Sequence, residues 1–260
     1  MPTAYQTLTI DVQEHIGRIT FQRPKALNTF TTTLASEFNA ALKELESDTG
    51  VRAIVVRGQG KAFCAGIDVN ELEGRSALDL YNWVSLMEEM SLTIAGMGTP
   101  VIASVQDLAV ANGIGIVASA DLAVAAEGAR FGATAVNVGL FCMGPAVPLL
   151  RNLGRKKALE LILTGEMINA EEALRIGLVN RVVPPDELEQ ATRTLAATLA
   201  EKSPLAVQLG KRSFYRMEDL DYKQAFELVN NHFALLCSSE DAREGVQAFL
   251  EKRRPEWKMR

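Results

Sequence analysis

Two stretches concentrate residues suited to chemistry. Lys61 to Asp68 reads KAFCAGID, and Ala111 to Asp121 reads ANGIGIVASAD. Both are rich in small residues that leave backbone N–H groups accessible, one set in a loop after a strand end, the other at a helix start. Two such N–H groups converging on one point form an oxyanion hole, which stabilises negative charge building on a carbonyl oxygen. The positive end of the helix dipole adds to the effect. The device suits thioester enolates and tetrahedral intermediates. The second stretch also offers Gly113-x-Gly115-x-x-Ala118, a match to the dinucleotide pattern GxGxxG/A. That pattern belongs in the first turn after its strand, with an acid about 20 residues on. Here Gln106 to Asn112 intervene, and the nearest acids, Asp121 and Glu127, come too early. The plainest role for these glycines, letting a helix pack tightly on a sheet, is compatible with either chemistry.

The elements that must position these stretches are legible as alternating patterns. Ile16 to Phe21, Arg52 to Arg57, Val101 to Val105, Leu122 to Ala126 and Val182-Val183 read as short strands. Between them, Thr32 to Leu45 places Leu34, Phe38, Ala41, Leu42 and Leu45 on one helical face, and Leu78 to Met97 does likewise. Strands alternating with helices imply an α/β fold with crossover connections. After about residue 145 strands nearly vanish. Asn169 with Glu172 resembles a capping box, Ser203-Pro204 an N-cap followed by proline at the first helical position, and Ala225 to Leu236 and Glu240 to Leu250 are amphipathic helices.

Composition narrows the function classes. With 48% hydrophobic and 23% charged residues and a net charge of −5, the chain is globular and lacks the basic face that nucleic acid requires. Cys64, Cys142 and Cys237 are widely spaced, with no metal spacing, and imply reduced thiols in a cytoplasmic protein. No apolar run approaches a membrane span, and the N-terminus lacks a signal-peptide pattern. His15 and His232 are the only histidines, no GxSxG elbow exists, and Ser104 and Ser119 fall inside regular elements, which argues against a Ser-His-Asp hydrolase.

The chain resembles the crotonase (enoyl-CoA hydratase/isomerase) superfamily over essentially its whole length. The matching pieces run in family order: RPKALN at Arg23 to Asn28, KAFCAGID, PVIASV at Pro100 to Val105, and SADLAVAAEGARFG at Ser119 to Gly132. LTGEMINAEEALRIGLVNRVVP at Leu163 to Pro184 and AFLEKRRPEW at Ala248 to Trp257 complete them. NVGLFCMGPAV, from Asn137, looks most like hydratase-domain-containing members. The resemblance implies a spiral of ββα units over residues 1–200 and a helical trimerisation region over 201–260, giving a homotrimer or a hexamer built as a dimer of trimers. It implies an acyl-coenzyme A thioester as ligand, with no cofactor beyond that coenzyme A, no metal, and neither nucleic acid nor membrane as partner. Lys25, Ala26 and Leu27 would line the adenosine end; Ala62, Ala65 and Ile67 would line the pantetheine; Phe249 and Lys252 would reach a neighbouring subunit's site. The oxyanion donors would be the N–H groups of Ile67 and Asn112, with Gly113 adjacent. Two departures stand out: Ala111-Asn112-Gly113 replaces a run of mostly glycines, and Gln106-Asp107 replaces Asn-Gly.

Hydration of an enoyl thioester needs a water, a base for it and an acid for the α-carbon. The resemblance puts glutamates at the places of Gly115 and Ala135, or an aspartate at that of Met143, so the usual acid positions are all empty. Replacement candidates are Asp68, Glu88, Glu89, Asn137 and Cys142. For each there is a structural alternative: a turn cap for Asp68, solvated carboxylates for Glu88 and Glu89, a loop hydrogen bond for Asn137, a buried apolar thiol for Cys142. The expectation is an enzyme of the hydratase/isomerase type, with Asp68 beside the oxyanion donors; the alternative is a non-catalytic acyl-CoA-binding homologue.

Overall fold

The computed structural model describes residues 5–260. A hairpin opens the chain: β1 (Leu8–Gln13) and β2 (Ile16–Phe21) pair antiparallel. Its two-residue turn, Glu14 and His15, holds both residues at positive φ, as the twist of a tight hairpin demands. After a 3-10 turn at Pro24–Ala26, α1 (Thr32–Ser47) starts where the Thr31 hydroxyl accepts the Leu34 N–H. It buries the stripe its spacing predicts.

Three repeats then follow, each giving one strand to each of two sheets before a helix returns the chain. They are β3 (Ala53–Gly58), β4 (Ala62–Cys64) and α2 (Ala77–Gly96); β5 (Val101–Val105), β6 (Leu108–Val110) and α3 (Asn112–Ser119); β7 (Leu122–Ala126), β8 (Arg130–Gly132) and α4 (Met143–Leu153). Next come α5 (Arg155–Thr164), β9 (Met167–Asn169), α6 (Ala170–Arg175), β10 (Arg181–Val183) and α7 (Leu188–Ala200). The first sheet is ordered β1-β2-β3-β5-β7-β10 and the second β4-β6-β8-β9. Beyond the β1–β2 hairpin the first sheet is parallel, and only β8–β9 is antiparallel in the second. This is the expected spiral of ββα units.

Phe21 centres the larger core, its ring 5.8, 5.1 and 6.0 Å from those of Phe30, Phe38 and Phe63. The other face of the first sheet buries Ile16, Val55, Ile102 and Val124 beneath Leu195 and Ala196 of α7. The chain ends in α8 (Pro204–Met217), capped by Ser203, then α9 (Tyr222–Ser238) and α10 (Glu240–Glu251). No residue of α9 is buried. Among the described residues no helix is long and apolar enough to cross a membrane.

One sequence expectation is corrected. Asn169 does cap α6 by accepting the Glu172 N–H, but Glu172 does not reach back. Its carboxylate pairs with Arg175 and Lys157 instead. The reciprocal capping box is at Ser76 and Asp79, starting α2.

The turn before α1 is stitched to the strand ends by a buried amide. Asn28 is fully buried in the left-handed region at φ 54°, which asparagine tolerates better than most residues. Its amide donates to the carbonyls of Gln59 and Ala62 at 3.0 and 2.8 Å, and its Oδ1 accepts the Arg23 N–H at 2.9 Å. Asn28→Ala strands these groups. It is expected to cost about 2–4 kcal/mol, several lost hydrogen bonds with desolvated partners, read as a lower midpoint in denaturant. An unchanged midpoint would show that the turn is held by other means.

Candidate functional site

The RPKALN turn and the KAFCAGID loop run side by side. Ala65 N–H donates to the Leu27 carbonyl, Phe30 N–H to Gly66, and Asp68 N–H to Phe30, at 3.0, 2.7 and 2.7 Å. Phe30 and Ile67 form a parallel bridge. The bonds around that bridge use the Gly66 carbonyl and the Asp68 N–H. The Ile67 N–H itself has no hydrogen-bond partner among the described residues. The pairing brings exposed Lys25 and Leu27 and half-buried Ala26 beside Ala62 and Ala65, a set named from sequence. Phe249 on α10 and Lys252 at its left-handed C-cap stand exposed on the helical C-terminal part.

The second loop lies against the first. Gly66 has φ +95°, and a Cβ there would come 2.9 Å from that of Ala111. A Cβ on Gly113 would lie 2.1 Å from the Cys64 carbonyl oxygen. The start of α3 is therefore packed onto the end of β4 at backbone contact. Ala111 precedes α3 with φ 49° and ψ −114°, a conformation that costs a non-glycine residue of order 1–3 kcal/mol and that clusters at functional sites. The first N–H groups of α3, including those of Asn112 and Gly113, have no acceptor within the helix. They adjoin the loop that carries the free Ile67 N–H.

The acids sort clearly. Asp68 caps the turn Val69–Leu72 by accepting the Asn70 N–H, and its Oδ2 meets the Arg23 guanidinium at 3.2 Å. Burial pushes this carboxyl up, but hydrogen bonds from Asn70 and Arg23 and the Arg23 charge outweigh it and hold it below the usual carboxylate range. Glu89 pairs with Lys43 of α1 at 2.6 Å. Glu88 is half-buried and packs on Gly144; burial pushes its carboxyl up.

The positions where the resemblance expects acids are occupied differently. A Cβ on Gly115 would meet the Pro145 ring at 3.1 Å, so α4 covers that spot. Ala135 is half-buried against the core in the 3-10 turn Thr134–Val138, and Met143 begins α4, exposed. Asn137 donates to the Gly165 carbonyl at 3.2 Å, holding its loop. Cys142 is buried, and burial pushes its thiol up.

The remaining hydroxyls and imidazoles named from sequence have structural partners. Among the described residues, no three of His, Cys, Asp and Glu gather to hold a metal. Ser104 bonds Thr192, Ser119 bonds Ser91, and His15 meets the Gly50 carbonyl. His232 does meet a hydroxyl, that of Ser213, a pair the sequence reading missed. That hydroxyl donates its proton to the Leu209 carbonyl one helical turn back and so accepts from the imidazole, the reverse of an activated nucleophile.

Asp68 carries a pH signature. A carboxyl depressed in the folded state contributes stability that is fully present above its unfolded value and lost as the pH falls below that value and through the lower folded one. Wild type is expected to melt above Asp68→Asn at neutral pH, and the two curves to converge below about pH 4. Parallel curves down to pH 2 would break the assignment of Asp68 to the Arg23 pair.

The Enoyl-CoA hydratase/isomerase family profile matches residues 11–260. The chain is 37% identical over 247 residues to the enoyl-CoA hydratase domain-containing protein 3, mitochondrial, of Rattus norvegicus, covering 94% of this chain and 82% of that protein. It is 36% identical over 260 residues to a probable enoyl-CoA hydratase of Rhizobium meliloti, covering 99% and 100%. The crystal structure of an enoyl-CoA hydratase from Mycobacterium smegmatis superposes with a TM-score of 0.93 at 39% identity, over 97% of this chain and 99% of that one. The crystal structure of the human enoyl Coenzyme A hydratase domain-containing protein 3 gives 0.93 at 34% identity, over 97% and 100%. Matched along nearly its whole length in both sequence and backbone, the chain belongs to the enoyl-CoA hydratase/isomerase family.

Proposed function

We propose that the protein is an enzyme of the hydratase/isomerase type that binds an acyl-coenzyme A thioester and polarises its carbonyl between the N–H groups of Ile67 and Asn112, with Gly113 beside them. The observation that carries this reading is the backbone contact of the two loops, Gly66 on Ala111 and Gly113 on Cys64. It sets an unbonded N–H next to the positive end of a buried helix, where charge on a thioester oxygen is stabilised as an enolate forms. Lys25 is exposed on the adjoining turn and supplies a point charge for a phosphate of coenzyme A. Coenzyme A enters as part of the substrate, and the proposal needs no further cofactor.

A second reading is favoured by one observation: Pro145 fills the space beside Gly115. On that reading the protein holds an acyl-CoA without transferring protons. The two separate on incubation with crotonyl-CoA and a panel of dienoyl-CoA thioesters in D₂O, followed by mass spectrometry. Water addition, deuterium uptake or double-bond movement supports the enzyme; unchanged thioesters that still bind support the binder.

We place the protein in a reducing compartment, the cytoplasm, on its three free cysteines. Its proposed partner is itself, as a trimer or a dimer of trimers. Tyr222, Phe226 and Phe233 along one face of α9, with Val246, Phe249 and Leu250 along one face of α10, are exposed apolar side chains in one protomer, the kind of surface that marks an interface.

Two outcomes are expected. Ile67→Pro, which deletes one donor, lowers turnover by about 10²–10³-fold while the folded protein still binds coenzyme A; turnover at the wild-type rate removes Ile67 from the oxyanion hole. Phe233→Asp shifts the assembly toward monomer in sedimentation; an unchanged mass removes α9 from the interface.

A further inference from the structure

Glu88 and Glu89 point about 100° apart on α2. Glu89 turns to Lys43 of α1. Glu88 turns to the first turn of α4, where its Oε1, Cδ and Cγ lie 2.3, 2.6 and 2.7 Å from where a Gly144 Cβ would stand. The next residue, Pro145, is the one that covers Gly115. One turn further along α2, Ser91 bonds Ser119 at 2.8 Å, one turn beyond Gly115 on α3. The Gly144 contact sets the Glu88 side chain against α4, and the Ser91–Ser119 bond shows that α2 rests on α3 one turn away, so Glu88 lies where the three helices come together.

No hydrogen bond or ion pair holds Glu88 among the described residues. Its surroundings carry little charge. The sequence of α3, NGIGIVAS, has no ionisable group. The first turn of α4 has none either beyond the buried Cys142 thiol at its cap. Arg151 at the far end of α4 is paired with Glu218 and Asp219. A structural carboxylate is normally satisfied by partners; this one is half-buried and free.

We infer that Glu88 is the acid/base of the site, the carboxylate that replaces the missing glutamates from a different helix. The inference rests on the acyl-CoA reading above and names its chemistry. A single carboxylate suits a proton shift without water, so the substrate class is a β,γ-unsaturated acyl-CoA. The Glu88 carboxylate takes an α-proton. The C–H pair forms a double bond to the carbonyl carbon, and the carbonyl π pair moves to oxygen, held by the Ile67 and Asn112 N–H groups. The oxygen pair then restores the carbonyl, the double bond moves between the α- and β-carbons, and the β,γ pair takes the proton back from Glu88 at the γ-carbon. The product is the α,β-enoyl thioester, and the carboxylate is regenerated.

The test uses the full chain with vinylacetyl-CoA in H₂O and D₂O, following conjugated product and deuterium by mass spectrometry. Glu88→Gln is expected to lose about 10²–10⁴-fold in turnover, the span general acid–base groups supply, with thioester binding kept. Glu88→Asp retains part of the rate, and Glu89→Gln is unaffected. The wild-type rate should rise with pH along an acid limb above the ordinary carboxylate range, a limb that Glu88→Gln lacks. A raised folded pKa means that stability falls as the pH rises and Glu88 ionises, so Glu88→Gln should melt above wild type at neutral pH and level with it in acid. Wild-type turnover in Glu88→Gln overturns the inference and leaves the acyl-CoA enzyme standing. A wild type that binds every thioester but exchanges and isomerises none overturns both, leaving the binder.

Discussion

The start of α3 can lie on the end of β4 only because residue 113 has no side chain, since a Cβ would fall 2.1 Å from the Cys64 carbonyl oxygen. That approach needs both segments rigid. On one side Asn28 and three backbone hydrogen bonds bind the β4 loop to the turn before α1. On the other, every residue of α3 is buried, so the helix cannot rotate to relieve crowding. Strain collects at the junction in Ala111, while Gly66 takes its positive φ freely because it has no Cβ. The close approach of the two loops is thus a by-product of how two sheets, linked strand by strand through the ββα repeat, hold their ends together.

Much of this was legible in the sequence. RAIVVR, VIASV and LAVAA are apolar runs long enough to announce strands, and α1 and α2 kept the boundaries their periodicity implied to within two residues. The second sheet was not legible as such. Its strands are three residues each, such as LAV and RFG, too short for alternation to register. The clustering of small residues picked out the two loops that meet at Gly66 and Gly113, and the family motifs picked out the turn that lies beside them.

What the sequence left open depends on contacts between distant segments. That Glu88 and Glu89 diverge follows from helix geometry; which one faces the wedge is decided by Lys43 on another helix. Asp68 carried two meanings, acid or cap, and the Arg23 guanidinium and Asn70 N–H supply the capping one. Asn28 gave only a weak signal, an asparagine closing a turn that begins with proline. Its burial and triple bonding emerge only when the β3–β4 loop folds over it.

The packing of Pro145 on Gly115 also constrains how this chain can vary. By resemblance, position 115 is one where a glutamate is expected and this chain has glycine. Yet the space has not simply been vacated, because a neighbouring helix has closed over it. Residues in contact do not contribute independently. A side chain returned to position 115 meets a ring that must first move, and moving Pro145 disturbs Gly144 and the carboxylate resting on it. Positions 115, 144 and 145 of α3 and α4 and position 88 of α2 are therefore coupled: a larger residue at 115 asks Pro145 to give by a few tenths of an ångström, and the shift is passed on to the side chain of another helix.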